Sequence, residues 1–228
     1  MICLVTDRHR LVTASGSRPT QSLSDAPDRL VELVAAAATA GVDLIQIRER
    51  DLEARELTSL VRRCAEAVQG TKTMLLVNDR ADVALAGGAH GVHLRSDSID
   101  AMAVRSLLPG GAVLGRSVHT PEEAAAVSRA GAVDYLVFGT MFQTPSKDPA
   151  HRLATLDELS AARRVSPVPV LAIGGITVER AAIVARAGAS GVAAIGLFIP
   201  PVSESPRAYL ASLAAELRHV FDTCGVVS

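Results

Sequence analysis

The residues best suited to chemistry begin with a polar triplet among hydrophobic residues near position 46. Gln46, Arg48 and Arg50 are spaced two apart, so on a β-strand their side chains share one face. Two guanidinium groups on one face suit a phosphate or a carboxylate, because each planar fork can bind such an anion through two hydrogen bonds. The triplet therefore predicts an anion site. The alternative is a buried structural ion network with Glu49 or Asp51.

Two glycine-containing turns near the carboxyl end predict a second anion site. Gly174 and Gly175 follow one short apolar run, and Ile195 and Gly196 follow the next. Glycine lets the backbone approach a ligand closely, and backbone N–H groups at such turns hold phosphates in many enzymes. We therefore predict that these four residues bind a phosphate group.

Ser117 and His119 would also share one face, where another strand ends. An imidazole titrates near neutral pH, so His119 could exchange protons with a ligand. The alternative is a rim histidine with a structural hydrogen bond. His90 and His93 are close enough in sequence to suggest two ligands of one metal ion. Residues three apart on a strand face opposite sides, however, which argues against a shared metal. His119 is therefore the predicted acid/base residue.

Two more polar groups follow apolar runs. Thr144, Ser146 and Lys147 place two hydroxyl groups and an ammonium group in one loop, which could close over an anionic leaving group or be a solvated surface turn. Asp79 and Asp97 follow two other runs, and such carboxylates could hold hydrated magnesium. Aspartates at these positions more often cap the following helix, for which Asp97 is well placed.

All of these residues lie where a short apolar run breaks into polar or glycine-rich sequence before a helical pattern. Eight strand-then-helix units are predicted, with strands at residues 2–5, 42–48, 74–77, 91–94, 112–118, 134–139, 168–173 and 191–195 and helices at residues 25–41, 54–68, 81–86, 99–108, 122–130, 156–165, 178–187 and 206–221. Strict alternation favours a parallel sheet, and eight units allow closure. We therefore predict one α/β domain over residues 1–228, a single (β/α)8 TIM barrel with its chemistry on one rim. An open doubly wound sheet is the alternative.

Composition narrows the class of protein further. The chain of 228 residues has a formal net charge of -1 and no block of Lys and Arg, so we expect no nucleic-acid binding. Cys3, Cys64 and Cys224 are odd in number and far apart, which favours free thiols and a reducing cytoplasm. No apolar run suits a signal peptide or a membrane span. Alanine-rich faces such as residues 35–38 could be core or subunit contact, so a homo-oligomer stays open.

Nine short segments, taken in order, resemble the family that joins thiamine-phosphate synthases and thiazole tautomerases. They are residues 4–7 (LVTD), 46–50 (QIRER), 77–80 (VNDR), 91–94 (GVHL), 115–119 (GRSVH), 134–139 (DY and FG), 144–147 (TPSK), 172–177 (AIGGIT) and 191–193 (GVA). Together they span nearly the whole chain. The resemblance implies an enzyme of thiamine biosynthesis that acts on a small phosphorylated thiazole.

The synthase branch of this family would couple a hydroxymethylpyrimidine pyrophosphate to a thiazole phosphate and release pyrophosphate with magnesium. By this resemblance, the pyrimidine and pyrophosphate would be held by Gln46, Arg48, Arg50, Asn78, Ser117, Thr144, Ser146 and Lys147. Gly175 and Gly196 would hold the thiazole phosphate, and Asp79 with a second aspartate would hold the metal. Synthases place that aspartate where this chain has Ser98, one residue after Asp97. A shift of one residue redirects a side chain.

Other departures from the family pattern are milder. Arg50 replaces the usual lysine, which keeps the charge and changes its geometry. Gly196 stands where the family often has serine, so a hydroxyl is lost and the backbone donor is kept.

The tautomerase branch resembles this chain in residues 117–119, in the missing second metal aspartate and in residues 152–159. In that branch His119 would move a proton to aromatise a carboxylated thiazole phosphate, with no cofactor. We therefore predict first a thiazole tautomerase and second a thiamine-phosphate synthase. The third alternative is a non-catalytic barrel that binds thiamine-related ligands or regulates their synthesis.

Overall fold

The computed structural model describes residues 1–13, 23–144, 148, 150 and 152–224. Its strands are β1 (Ile2–Val5), β2 (Leu44–Ile47), β3 (Met74–Asn78), β4 (Gly91–Leu94), β5 (Val113–Val118), β6 (Tyr135–Gly139), β7 (Val170–Ile173) and β8 (Gly191–Ala194). Its α-helices are α1 (Arg8–Thr13), α2 (Ala26–Thr39), α3 (Ala54–Ala67), α4 (Ala81–Gly87), α5 (Ala101–Leu107), α6 (Pro121–Ala130), α7 (Leu156–Val165), α8 (Val178–Arg186) and α9 (Pro206–Cys224). Short 3-10 turns occur at Leu23–Asp25 and Gly196–Phe198.

The strands form one closed parallel barrel in chain order. The pair that closes it joins β1 to β8, with Ile2 opposite Val192 and Leu4 opposite Ala194. Because every strand runs in the same direction, all of the carboxyl ends reach one rim. This arrangement confirms the predicted (β/α)8 barrel and excludes the open doubly wound sheet.

Hydrophobic residues pack in two separate regions. A small cluster inside the barrel consists of Cys3, Val5, Leu44, Leu76, Tyr135, Val137, Leu171 and Ala193. A larger layer fills the space between the sheet and the surrounding helices. Gly115 makes room for the one aromatic ring of the inner cluster, because a Cβ at this residue would lie 2.1 Å from Tyr135 Cζ. The barrel interior is thus a packed core, and ligand space is left to the rim.

Local sequence signals start the helices that follow the strands. The Thr120 hydroxyl accepts a hydrogen bond from Glu123 N at 3.2 Å, and Thr155 forms a capping box with Glu158. These side chains satisfy backbone N–H groups that have no partner within the first helical turn. At the other end, Gly131 closes α6 with a φ of 69°, a left-handed conformation that glycine adopts readily. Thr120 and Thr155 therefore mark where the rim segments after β5 and β6 pass into helices.

All eight predicted strand–helix units are present, with their ends shifted by a few residues. Helix α1 was not predicted, because six residues are too few to show helical periodicity. The predicted loop at residues 13–24 falls largely outside the described residues.

All three cysteines are free, as predicted. No helix within the described ranges has the length and hydrophobicity to cross a membrane. The assignment of residues 1–228 to a single domain stays a prediction.

Candidate active site

A cavity of about 1020 Å³ opens among the carboxyl ends of the strands. Most of the predicted site residues line it: Gln46, Arg48, Arg50, Asn78, Asp97, Ser117, His119, Thr144, Gly174, Gly175, Ile195 and Gly196. Asp79 is not part of this lining. Ser146 and Lys147 lie outside the described residues. Side chains from distant parts of the sequence therefore converge on one space, as the barrel prediction requires.

The polar triplet lies at the end of β2. Gln46 is buried, and its Nε2 donates to Asn78 Oδ1 on β3 at 2.8 Å. This bond occupies one N–H of Gln46 and one lone pair of Asn78, and it leaves the other polar atoms of both amides available to a ligand. Arg48 and Arg50 face the cavity beside this amide pair.

Glu49 and Asp51 do not pair with these two arginines. Arg8 Nη1 donates to Glu49 Oε2 at 3.1 Å and to Asp51 Oδ1 at 2.6 Å. The guanidinium of Arg8 also holds the pKa of Asp51 well below its usual range. The alternative prediction of a structural network is therefore wrong. Within the described ranges, neither Arg48 nor Arg50 forms a salt bridge.

Arg48 is poised to bind an anion. Burial lowers its pKa, and the neighbouring Arg50 guanidinium lowers it further. An arginine nevertheless keeps its charge at neutral pH, because its ordinary pKa is above about 12. An anion placed between the two guanidinium groups would relieve their repulsion and replace the solvent that Arg48 has lost.

A second part of the rim carries the glycine turn after β7. Gly174 and Gly175 have φ angles of 104° and 59°, which are in the region that favours glycine. The N–H groups of Gly175 and Ile176 have no hydrogen-bond partner among the residues that the structure describes. Adjacent backbone N–H groups left open in this way form a concave donor set that suits a phosphate.

Two arginines add positive charge to this part of the rim. Arg180, in the first turn of α8, donates from Nη1 to Gly175 O at 2.7 Å and lies 4.9 Å from the centre of the Phe142 ring. Arg10 reaches from α1 to the turn after β8, so that a Cβ added to Gly196 would lie 2.9 Å from Arg10 Nη1. The missing side chain at position 196 therefore leaves space for a guanidinium.

His119 lies just beyond β5 and lines the cavity. Its Nδ1 is 2.6 Å from Gly139 O, and its Nε2 is 3.1 Å from Ser96 Oγ. Because a carbonyl only accepts, Nδ1 carries a proton and Nε2 is the basic nitrogen of the neutral ring. The geometry is compatible with both predicted readings, since one ring nitrogen has a structural hydrogen bond and the other faces a cavity residue.

Asp79 and Asp97 do not form a magnesium site as they are arranged. Arg95 Nε donates to Asp97 Oδ1 at 2.8 Å and lies 3.6 Å from Asp79 Oδ2. Asp79 also accepts from the Ser98 hydroxyl. No group of three or more His, Cys, Asp or Glu suited to a metal occurs among the described residues. A guanidinium thus binds the carboxylates that a cation would need, and we assign no step to a metal.

The alternative role predicted for Asp97, capping the next helix, is also wrong. Asp100 caps α5 and accepts hydrogen bonds from Met102 N and Ala103 N.

Several cavity residues were not predicted as site residues, and four of them carry an imidazole or a guanidinium group. His93, Arg95 and Arg180 lie at or just after strand ends, or in the helical turn after one. The rule that barrel chemistry collects at strand ends could have found them. Arg10 lies on the short helix α1, for which the sequence carries no clear signal.

A closed (β/α)8 barrel that gathers guanidinium groups and glycine turns around one rim cavity is the architecture of a phosphate-binding barrel enzyme. The family described as thiamine monophosphate synthase matches residues 19–198. The chain belongs to this family, which confirms the resemblance, and it is an enzyme of thiamine biosynthesis.

Relatives extend the match over almost the whole chain. A thiamine-phosphate synthase from Roseiflexus castenholzii is 39% identical over 217 residues, which are 95% of this chain and 89% of that protein. Another from Moorella thermoacetica is 38% identical over 205 residues, 90% of each chain. The solved structure of thiamine phosphate pyrophosphorylase from Pyrococcus furiosus is 27% identical, covers 96% of both chains and has a TM-score of 0.76. These relatives favour the predicted alternative, a thiamine-phosphate synthase, over a thiazole tautomerase.

Proposed function

We propose that this protein is a thiamine-phosphate synthase, which couples a hydroxymethylpyrimidine pyrophosphate with a thiazole phosphate. The observation that carries the proposal is that one cavity offers anion-binding groups at two separate parts of its rim. One part is formed by the two arginines after β2, and the other by the glycine turns after β7 and β8. Two phosphorylated substrates that react with each other need two such sites within one space.

The arginines after β2 would hold the pyrophosphate. In the reaction, a bond forms between the two heterocycles while the carbon–oxygen bond to pyrophosphate breaks, and the electron pair of that bond leaves with the pyrophosphate. Arg48 and Arg50 would stabilise the negative charge that grows on this leaving group. The hydrogen-bonded amides of Gln46 and Asn78, 2.8 Å apart, would orient the polar atoms of the pyrimidine.

The glycine turns would hold the thiazole phosphate. The open N–H groups of Gly175 and Ile176 supply donors, and Gly196 lies in the neighbouring turn. Arg10 and Arg180 supply charge at the same place. With its phosphate held in the same cavity as the pyrophosphate site, the thiazole ring would lie next to the pyrimidine.

Several finer assignments stay predictions. Thr144 lines the cavity, and its proposed contact with pyrophosphate, together with those of Ser146 and Lys147, awaits a bound ligand. Magnesium follows from the resemblance for a synthase, although the described carboxylates do not form its site. The predicted cytoplasmic location, the absence of nucleic-acid binding and a homo-oligomeric state are untested.

A thiazole tautomerase is the second candidate function, and the position of His119 favours it. The basic Nε2 of this residue lies in the cavity, where it could take a proton from a carboxylated thiazole phosphate and return it to another ring atom. This chemistry would use the glycine turns for the phosphate and the arginines after β2 for the carboxylate.

One pair of assays distinguishes the two functions. The purified protein would be given both synthase substrates, and separately the carboxylated thiazole phosphate in D2O. We expect thiamine phosphate with an equal amount of pyrophosphate, a lower coupling rate in Arg48→Gln and retained coupling in His119→Gln. Proton exchange that depends on His119, without coupling, would instead establish the tautomerase. Binding of the substrates without either reaction would leave the non-catalytic barrel.

A further inference from the structure

A buried hydrogen-bond chain leads from the barrel interior to the cavity. Tyr135 Oη on β6 lies 2.8 Å from His93 Nδ1 on β4, and His93 Nε2 lies 2.9 Å from Ser117 Oγ on β5. Tyr135 and His93 are only 1% and 2% exposed, whereas Ser117 is partly exposed and lines the cavity. The chain therefore joins two buried groups to one that a ligand can reach.

The direction of the first hydrogen bond follows from the tyrosine. His93 Nδ1 is the only hydrogen-bond partner of Tyr135 Oη among the described residues. Burial raises the pKa of Tyr135 well above its usual value, and the nearby Cys3 and Asp134 raise it further, so the phenol keeps its proton. Because buried O–H groups are almost always satisfied, the phenol donates to Nδ1.

The second hydrogen bond then has only one possible direction. Because Nδ1 accepts the hydrogen bond of the phenol, it carries no proton itself, and the imidazole is in its neutral form. A neutral imidazole has one proton, and Nδ1 is already an acceptor. The proton is therefore on Nε2, which donates to Ser117 Oγ.

The hydroxyl proton of Ser117 is consequently left for a ligand, since it has no other acceptor within the described ranges. We propose that Tyr135 and His93 are positioning residues that hold Ser117 as a hydrogen-bond donor to a phosphate oxygen of the pyrophosphate substrate. The identity of that acceptor rests on the proposed function, whereas the direction of the two hydrogen bonds does not. A serine hydroxyl that is free to rotate can act as a donor or as an acceptor. The hydrogen bond from His93 fixes the Ser117 hydroxyl as a donor before the substrate binds.

The packing around the chain keeps its geometry fixed. The rings of His93 and Tyr135 have centroids 5.5 Å apart at an interplanar angle of 34°. The Tyr135 ring occupies the space that the missing Cβ of Gly115 provides. Neither ring can turn far without meeting the inner core, so the preference for one hydrogen-bond direction is built into the fold.

The direction of the chain can be tested without substrate. Nitrogen-15 NMR of the histidine ring in the ligand-free protein at pH 7 should show His93 with its proton on Nε2. A proton on Nδ1 would overturn the proposal, whatever reaction the enzyme catalyses. Because this measurement uses the unmodified protein, it does not depend on whether any variant folds.

The effect on the ligand is tested with inorganic pyrophosphate as the probe, by isothermal titration calorimetry. Ser117→Ala should raise the Kd about tenfold, as expected for one lost hydrogen bond to a charged group. Ser117→Thr, which keeps a hydroxyl, should restore most of the affinity. Ser212→Ala, at an exposed position on α9, is the matched control and should bind as the wild type does.

The positioning role is tested with a double-mutant cycle. Tyr135→Phe should weaken pyrophosphate binding by a few fold when Ser117 is present and have no effect in the Ser117→Ala background. Equal weakening in both backgrounds would mean a general structural role and would overturn the proposal. If the coupling assay fails while the tautomer and the cycle behave as expected, only the proposed function is lost.

Discussion

The substitution Gly196→Ala tests the proposed binding of the thiazole phosphate at the glycine turns after β7 and β8. The φ angle of Gly196 is outside the left-handed range, unlike those of Gly174 and Gly175, so alanine is tolerated by the backbone here. Its Cβ would lie 2.9 Å from Arg10 Nη1, which is closer than such contacts allow. Because the obstructing atom is the tip of a flexible side chain, we expect Arg10 to move out of the cavity and the barrel to stay folded.

The size of the effect follows from the loss of one guanidinium contact to a phosphate. A hydrogen bond to a charged group contributes about 1.5–3 kcal/mol, and 1.4 kcal/mol corresponds to tenfold in Kd. The Arg10 side chain is 35% exposed, so solvent screening favours the lower end of this range. We therefore expect both Gly196→Ala and Arg10→Gln to weaken binding of thiazole phosphate about tenfold.

Isothermal titration calorimetry with thiazole phosphate and with the unphosphorylated thiazole alcohol would measure this effect. Only the phosphate should lose affinity, and the double variant should be no weaker than either single variant, because both changes remove the same contact. Arg164→Gln, at an exposed position on α7, is the control for loss of one positive charge. Unchanged binding in Gly196→Ala, or additive losses in the double variant, would refute the reasoning.

Three further predictions concern charge and burial. Arg48→Gln should raise the KM for the pyrimidine pyrophosphate about tenfold and leave the KM for thiazole phosphate unchanged; steady-state kinetics that show equal shifts would contradict separate sites. Arg8→Met should lower the free energy of unfolding in urea by about 3 kcal/mol, because the side chain of Glu49 is only 1% exposed and loses its cation; a loss under about 1 kcal/mol would count against this. The unfolding free energy should fall by about 3 kcal/mol as the pH drops from about 6.5 to 4, because His93, with a folded pKa of about 4, binds its proton more readily in the unfolded chain. Urea titrations at stepped pH would show this loss in the wild type and a flatter profile in His93→Gln.

Features that local backbone rules decide could be predicted from the sequence. The two-residue spacing of Gln46, Arg48 and Arg50 predicted their shared orientation, and the structure places all three at the cavity. The glycine pair at 174–175 predicted a special turn, and both residues have positive φ. In each case a local backbone rule decides the outcome, so no tertiary information is needed.

Features that depend on tertiary contacts could not be predicted from the sequence. Arg10 reaches the turn after β8 because closure of the barrel brings β1 beside β8, which no local pattern reports. Asp79 is absent from the cavity lining, has a positive φ of 61° and accepts a hydrogen bond from Ser98. The role of Glu49 was also hidden, because its partner Arg8 lies 41 residues earlier in the chain.

The most direct test is a crystal structure of the protein with thiazole phosphate and pyrophosphate bound together. We predict the thiazole phosphate within hydrogen-bond distance of Gly175 N and Arg10, and the pyrophosphate between Arg48 and Arg50. Both ligands in a single subsite, or either one outside the cavity, would contradict the claim that one rim holds two separate anion sites.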